Sequence, residues 1–245
     1  MNEAVELLKI ISQKLNLGLD IIKAKSVDNA KAYPLVVKVA QNIEDMEKDW
    51  SHKHTGNGRM YGQKIEGEAI KLWSVPKTSA QVLELLVVAS GSKQIVEVGT
   101  SAGYSALYLA MGAKYNSGRV TTIENLDVKA ELARKNFQES GLDNINLIEG
   151  DAQKAIAELD LNEIDFVFLD ADKENYDTYF DLLIPKLKIG ALIVADNVFD
   201  YGHMMQGYLG KVLGTKLPGS TSDPRVQSYT LPIDNGLLVT KKISD

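Results

Sequence analysis

The chain has no cysteine among its 245 residues. That excludes a disulfide framework, a thiolate zinc site and a cysteine nucleophile, and it is compatible with a reducing compartment. No excess of positive charge is present either: 27 Lys and Arg against 33 Asp and Glu leave a formal charge of -6. A mildly acidic chain lacks the basic footprint of a dedicated nucleic-acid binder, although a local patch would still serve a nucleic-acid substrate. No stretch approaches the roughly 20 apolar residues that a membrane helix needs. The opening MNEAVELLKIISQKLN places acids early and spaces its apolar residues helically, so it does not read as a signal peptide, and a cytoplasmic protein is the expectation. Internal repeats and low-complexity tracts are also missing. What remains is 44% hydrophobic and 24% charged, an ordinary globular mix that excludes a disordered chain, a collagen and a coiled-coil rod.

Two styles of sequence follow one another. Up to about Trp73 the patterning is helical. Leu7, Leu8, Ile11, Leu15 and Leu19 recur at helical intervals, which predicts an amphipathic helix. Pro34 is suited to open a second helix through Val36, Val37, Ile43 and Met46. The polar, glycine-bearing residues 50–62 read as a loop, a helix over Gln63 to Trp73 is expected next, and another fits Thr78 to Ser90, with Ser or Thr at its start and Gly91 after its end. From Lys93 onward, apolar runs at 94–99, 119–124, 145–150, 164–170 and 191–197 alternate with helical patterns at 104–113, 127–140, 152–159 and 176–187. Strands that are apolar throughout, alternating with helices, predict a parallel sheet covered on both faces. Residues 226–231 and 236–241 flank PIDN and read as an antiparallel hairpin added to the edge. The expected architecture is a single α/β domain, with residues 1–74 a helical cap and 75–245 the part that carries the sheet.

Open α/β sheets bind ligands outside the carboxyl ends of their strands. The first run ends in Glu97-Val98-Gly99 and leads through Thr100-Ser101-Ala102 to Gly103-Tyr104-Ser105. Gly99 permits a tight turn, Gly103 a close helix approach, and the helix start presents free N–H groups. The second run ends in Glu124, where a carboxylate accepts hydrogen bonds from ribose hydroxyls. The glycines are spaced Gly-x-x-x-Gly, unlike dinucleotide binders, and Glu97 adds negative charge. A cationic ligand such as S-adenosylmethionine, with a sulfonium, an ammonium and an adenosine but no phosphate, suits that charge better than a pyrophosphate. Glycine loops alone occur in many α/β folds. A second constellation narrows the choice: the fourth run ends in Asp170 and the fifth in Asp196-Asn197. Two carboxylates and an amide oxygen at one sheet edge form an oxygen-only set for a hard divalent cation such as Mg²⁺, with Ca²⁺ or Mn²⁺ as alternatives. The bland reading is solvated or helix-capping carboxylates. Lys173, just past Asp170, is expected to have a lowered pKa there and to act as a general base; an ordinary surface lysine is the alternative.

The segments VEVGTSAGYSALYLA (96–110), LDADKENYDTYF (169–180), IVADNVFDYG (193–202) and DPRVQSYTLPIDNGLLVTKK (223–242) resemble the cation-dependent S-adenosylmethionine O-methyltransferases, the caffeoyl-CoA and catechol type. The resemblance runs from about Val75 to Lys242. It implies a Rossmann-like class I methyltransferase fold, a mostly parallel seven-stranded sheet. It implies cofactor contacts at Val75, Glu97, Gly99, Thr100, Ser105, Glu124, Ala152 and Asp170, metal ligation by Asp170, Asp196 and Asn197, and catalytic roles for Lys173 and Asp170. It further implies a phenolic acceptor with vicinal hydroxyls and a homodimer. Ala102, Gly190-Ala191 and Asn235-Gly236 depart from common family residues, but no metal ligand is lost. Residues 1–74 match weakly, and the resemblance implies that they lie near the acceptor mouth.

Other residues carry less. His52 and His54 sit in a polar stretch with no third ligand nearby. His203 follows the metal residues closely, Trp50, Tyr61 and Trp73 are candidates for an aromatic wall or simple packing, and Arg225 for an acidic substrate group or a surface charge. Two further functions fit the same chain. One is O-methylation of a hydroxylated wobble uridine in tRNA, for which Lys23, Lys25, Lys31 and Lys38 would supply the basic surface. The other is a non-catalytic binding module, against which the full set of metal-type ligands and Lys173 speaks.

Overall fold

A computed structural model describes residues 33–53, 71–214 and 222–245, with side chains from 49 to 53 left out. Helix α1 spans Pro34–Lys53 and α2 Lys77–Ser90. Then come β1 (Gln94–Val98), α3 (Tyr104–Tyr115), β2 (Arg119–Glu124), α4 (Asp127–Ser140), β3 (Ile145–Glu149), α5 (Ala152–Glu158) and β4 (Ile164–Leu169). After a 3₁₀ turn at Lys173–Asn175 follow α6 (Tyr176–Leu183), β5 (Leu187–Ala195), α7 (Val198–Tyr201), α8 (Gln206–Leu213), β6 (Val226–Leu231) and β7 (Leu237–Lys242). The seven strands form one sheet in the order β3-β2-β1-β4-β5-β7-β6. The first five are parallel, β7 is antiparallel to β5, and β6 is antiparallel to β7. The expected parallel sheet with an appended hairpin is therefore observed.

Both faces are covered, as uniformly apolar strands require. Ile95, Val120, Phe166, Phe168 and Val194 face α1, α2, α3 and α4, where Val36, Leu83, Leu107 and Phe137 meet them. The alternate residues Val96, Val98, Ile123, Val167 and Ile193 face α5, α6 and α8, where Ile156, Phe180 and Tyr208 close the second core. Glu97 falls on the first face between apolar neighbours, so its charge is set against burial from the outset.

Several expectations need correction. Helix α1 begins at Pro34, but its inward stripe is Val36, Val39, Ala40 and Ile43; Val37 and Met46 point outward. Residues 50–53 complete α1 instead of opening a loop. The helix expected over 63–73 lies largely outside the described residues; its end, Lys71–Trp73, is not helical. Trp73 has φ 51, and the Ser101 hydroxyl takes the Leu72 carbonyl that a helix would have used. Helix α6 stops at Leu183, where Pro185 shapes a 3₁₀ turn, and β5 starts at Leu187, before the expected Ala191. The stretch after Asn197 holds two helices that the sequence reading did not anticipate. The helix of Leu7 to Leu19, Lys23, Lys25, Lys31, His54 and Tyr61 lie outside the described residues, while Lys38 is exposed on α1. No helix among the described residues is long and apolar enough to cross a membrane.

Candidate active site

Strand order reverses between β1 and β4: the chain runs outward from β1 to β2 and β3, then returns to the other side of β1. Such a switch point leaves a crevice at the carboxyl ends. The Asp170 N–H donates to the Val98 carbonyl (2.9 Å), and the Asp196 N–H to that of Leu169 (3.1 Å). Glu97 near the end of β1, Asp170 just past β4, and Asp196 and Asn197 just past β5 thus lie along the carboxyl edge of three adjacent strands. Gly99 (φ 101) turns the chain tightly against the Asp170 carbonyl, where any side chain would collide with backbone. Gly103 (φ 87) leads into α3, and the ring of Phe137 from α4 fills the space a Cβ would take. Between them, the Asn136 amide donates to the Ala102 carbonyl (2.8 Å) and pins the loop to α4.

The loop and β2 are tied through Glu124, whose two carboxylate oxygens accept the N–H groups of Ser101 (2.7 Å) and Leu126 (3.0 Å). Among the described residues each oxygen takes one such bond, which leaves a lone pair for a further donor. Glu97 is fully buried. Its Oε2 accepts the Thr122 hydroxyl at 2.5 Å, which in turn lies 2.5 Å from the Thr100 hydroxyl. Its Oε1 meets no donor at bonding geometry among the described residues. Burial pushes the Glu97 pKa up to about 8, against the pull of the hydroxyls of Ser105 and Thr122. A buried carboxylate with an idle oxygen fits an ammonium or sulfonium, the donor chemistry expected of S-adenosylmethionine. Val75 is buried just before Pro76, and Ala152 opens α5 behind the Asp151 cap, whose carboxylate accepts the Lys154 N–H (2.9 Å).

At the other side of the crevice, Asp196 is 2% exposed, and burial together with the Asp170 charge raises its pKa to about 7. Asn197 adopts φ 62, a left-handed conformation that Asn tolerates better than most residues, and this turn separates β5 from α7. Among the described residues no three His, Cys, Asp or Glu side chains converge; of the three residues expected to hold a metal, Asp170 and Asp196 are acids and Asn197 is an amide. Two crowded carboxylates, one costly to ionise, are a donor set that a hard divalent cation fits.

Lys173 departs from expectation. Its ammonium donates to Asp170 Oδ1 (2.7 Å) and to the Tyr176 hydroxyl (2.8 Å), which itself donates to the Leu169 carbonyl (2.8 Å). Burial works to lower its pKa, but Asp170 and Tyr176 outweigh it and the net shift is upward. This direction is opposite to the lowered pKa expected of Lys173 beside a bound cation: Asp170 and Tyr176 favour its ammonium form. Tyr176 and Thr122 escaped the sequence reading, though the three-residue spacing of Lys173 and Tyr176 places them within one turn. Lys129, on the first turn of α4, also escaped it; it is buried with its ammonium 4.8 Å from the centre of the half-exposed Trp73 ring. The weaker candidates fall apart. Arg225 pairs with Asp223 (2.7 Å), His203 stacks on Tyr201 at the surface with ring centres 6.5 Å apart, and His52 lies in α1.

The chain as a whole is similar to known proteins. A family model described as O-methyltransferase matches residues 63–243. Catechol O-methyltransferase of Mycobacterium tuberculosis is 37% identical over 133 residues, 54% of this chain and 60% of that protein. Caffeoyl-CoA O-methyltransferase 1 of Eucalyptus globulus is 30% identical over 191 residues, 70% of this chain and 77% of that protein. Among solved structures, an O-methyltransferase from Bacillus cereus in complex with SAH (S-adenosylhomocysteine) superposes with a TM-score of 0.61 at 28% identity, covering 69% of this chain and 82% of its own. The O-methyltransferase TomG of Streptomyces achromogenes, at 21% identity, shares the fold with a TM-score of 0.64 over 91% of this chain and 96% of its own. A mostly parallel sheet with a terminal antiparallel pair, a glycine loop at its switch point and a family match over most of the chain make this protein a member of the S-adenosylmethionine-dependent O-methyltransferase family, of the caffeoyl-CoA and catechol type.

Proposed function

We propose that the protein transfers the S-adenosylmethionine methyl group to one hydroxyl of a vicinal dihydroxyphenol, and that it requires a divalent cation, Mg²⁺ being the expected one. The observation that carries this reading is the pairing of Asp170 and Asp196 at the ends of β4 and β5, with the Asp196 pKa raised to about 7 by burial and by Asp170. Asp170, Asp196 and Asn197 would hold the cation. When bound, it supplies Lewis acidity that makes a phenolic hydroxyl easier to ionise.

The chain's own residues do the rest. Glu97 and the Gly99–Ser105 loop hold the cationic donor, Glu124 takes its ribose hydroxyls, and Val75 and Ala152 border it. Lys173, kept charged between Asp170 and Tyr176, donates a hydrogen bond to the acceptor oxygen and favours its phenolate form. The crevice aligns oxygen, methyl carbon and sulfur in line, and that alignment is the largest expected contribution to rate. A homodimer and the cytoplasm complete the reading.

The test is methyl transfer to a panel of catechols with Mg²⁺ and with chelator. Product is expected only with the cation, and Asp170→Ala is expected to lose cation-dependent turnover while retaining its fold by circular dichroism. Equal product with chelator would overturn the cation requirement. Product from transfer RNA and none from catechols would overturn the acceptor class.

A further inference from the structure

Helix α2 starts without a cap of its own. Its N-cap residue is Pro76, which has no side-chain acceptor, and the capping Ser or Thr expected from the sequence makes no such bond. The acceptor arrives from 155 residues away: Asp234 Oδ2, in the turn between β6 and β7, accepts both the Ser79 N–H (3.1 Å) and the Ser79 hydroxyl (2.7 Å). A carboxylate at a helix start satisfies otherwise unpaired donors and complements the helix dipole.

The same turn grips the opposite side of the crevice. The Val198 N–H donates to the Gly236 carbonyl (3.2 Å) and the Phe199 N–H to that of Asn235 (3.0 Å). These are the residues directly after Asn197. Gly236 (φ 86) lies so close to Phe199 that a Cβ would stand 2.7 Å from its ring. Asp234 itself holds φ 48, an unusual conformation that aspartate tolerates. The segment it fastens also leads to the glycine loop, because the Ser101 hydroxyl bonds the Leu72 carbonyl. Residues 233–236 therefore bridge two chain segments, one carrying Val75 and one carrying Asp196 and Asn197.

The geometry points to Asp234 as a positioning residue that holds the donor-side segment 74–77 against the acceptor-side residues 196–199 through the β6–β7 turn. This rests on the donor pocket proposed above. Asp234 touches neither the donor nor the acceptor in that reading; it acts through Ser79 and through the turn. One oxygen takes both bonds, so an amide oxygen can replace it, whereas a methyl group cannot.

The test measures affinity for S-adenosylhomocysteine by calorimetry, alongside the melting temperature, for wild type, Asp234→Ala, Asp234→Asn, Ser79→Ala and the double variant Asp234→Ala with Ser79→Ala. Asp234→Ala is expected to bind about tenfold more weakly and, with a working acceptor, to lose about tenfold or more in kcat, since small misplacements of aligned groups are costly. Asp234→Asn is expected to stay within about threefold of wild type, and the double variant to lose less than the sum of the singles. An affinity for Asp234→Ala within about twofold of wild type would overturn the proposal, whatever the melting temperature does. A loss in Asp234→Asn equal to that in Asp234→Ala would also overturn it. Should Asp234→Ala fail to fold, Ser79→Ala decides: unchanged affinity overturns, and about threefold weakening supports. Wild type that binds S-adenosylhomocysteine but methylates no catechol would count against the acceptor and leave this comparison intact, because binding needs no acceptor.

Discussion

At Glu97 the cost of burying an acid stands against the binding role proposed for it. Its ordinary pKa is near 4.5 and its folded value is about 8. Between these two pH values the unfolded chain gives up the proton and the folded one keeps it, so stability falls as pH rises through that window. Glu97→Gln is expected to remove the fall: more stable than wild type at pH 8, with the gain shrinking toward pH 4.5, read from melting temperatures. The same change removes the charge expected to face the donor's cation, and S-adenosylmethionine affinity is expected to drop about tenfold or more, the usual range for a charge-assisted hydrogen bond. Asp196 carries a second pH-dependent effect. Its proton competes with a cation below about pH 7, so Mg²⁺ is expected to raise the melting temperature more at pH 8 than at pH 6. Equal shifts at the two pH values would place the cation elsewhere. Some of this was legible in the sequence, since Asp170, Asp196 and Glu124 each end an apolar run and such endings stand out. The charge state of Lys173 was not. It depends on Tyr176, whose hydroxyl is fixed by the Leu169 carbonyl, a contact that exists only once β4 and the following turn are folded.

At the scale of elements, the loop from β1 to α3 is set by two glycines under different constraints. Gly99 faces backbone at Asp170, while Gly103 faces the movable ring of Phe137. Both have positive φ, so alanine is strained at each. Gly99→Ala is expected to be the more damaging in chemical denaturation and to weaken S-adenosylhomocysteine binding as well, because relief requires shifting the strand end that carries Asp170. Gly103→Ala is expected to lose stability mainly. Strands and most helices followed their patterns closely; α4 was read with its observed bounds, Asp127–Ser140. The misses occur where long-range contacts override local signals. Ser and Thr near the start of α2 suggested a local cap, yet Asp234 provides it. Short helices α7 and α8 follow Asn197 in a stretch whose apolar residues, such as Met205 and Tyr208, are buried against α6 and not in a stripe long enough to read from periodicity.

For the molecule as a whole, the two hydrophobic cores share one sheet, and the proposed donor pocket lies at the carboxyl ends of strands that contribute to both. Ligand binding at that edge is expected to stabilise the protein as one unit. S-adenosylhomocysteine at about 100 times its dissociation constant contributes about 2.7 kcal/mol, which for a chain of this size is a rise of about 5–10 °C in melting temperature. A single calorimetric transition that moves by that amount fits this arrangement, and two transitions of which one alone moves would contradict it. The sequence foresaw the single sheet and its helical cover, because alternating runs of strand and helix length leave few other architectures. It could not foresee that α1, from the weakly matching N-terminal part, joins the same core through Val36 and Ile43.

The position of β7 has a consequence in time. It pairs between β5 and β6 although it is the last strand of the sheet in the sequence, so on a ribosome adding roughly 5–20 residues per second the parallel strands emerge first and β5 keeps a bare edge until the hairpin arrives. The turn that grips Ser79 and Val198 comes with it. Synthesis therefore runs ahead of function by the length of that hairpin: a nascent chain holding the glycine loop and both metal-type acids still waits for its final strand before the two sides of the crevice are joined.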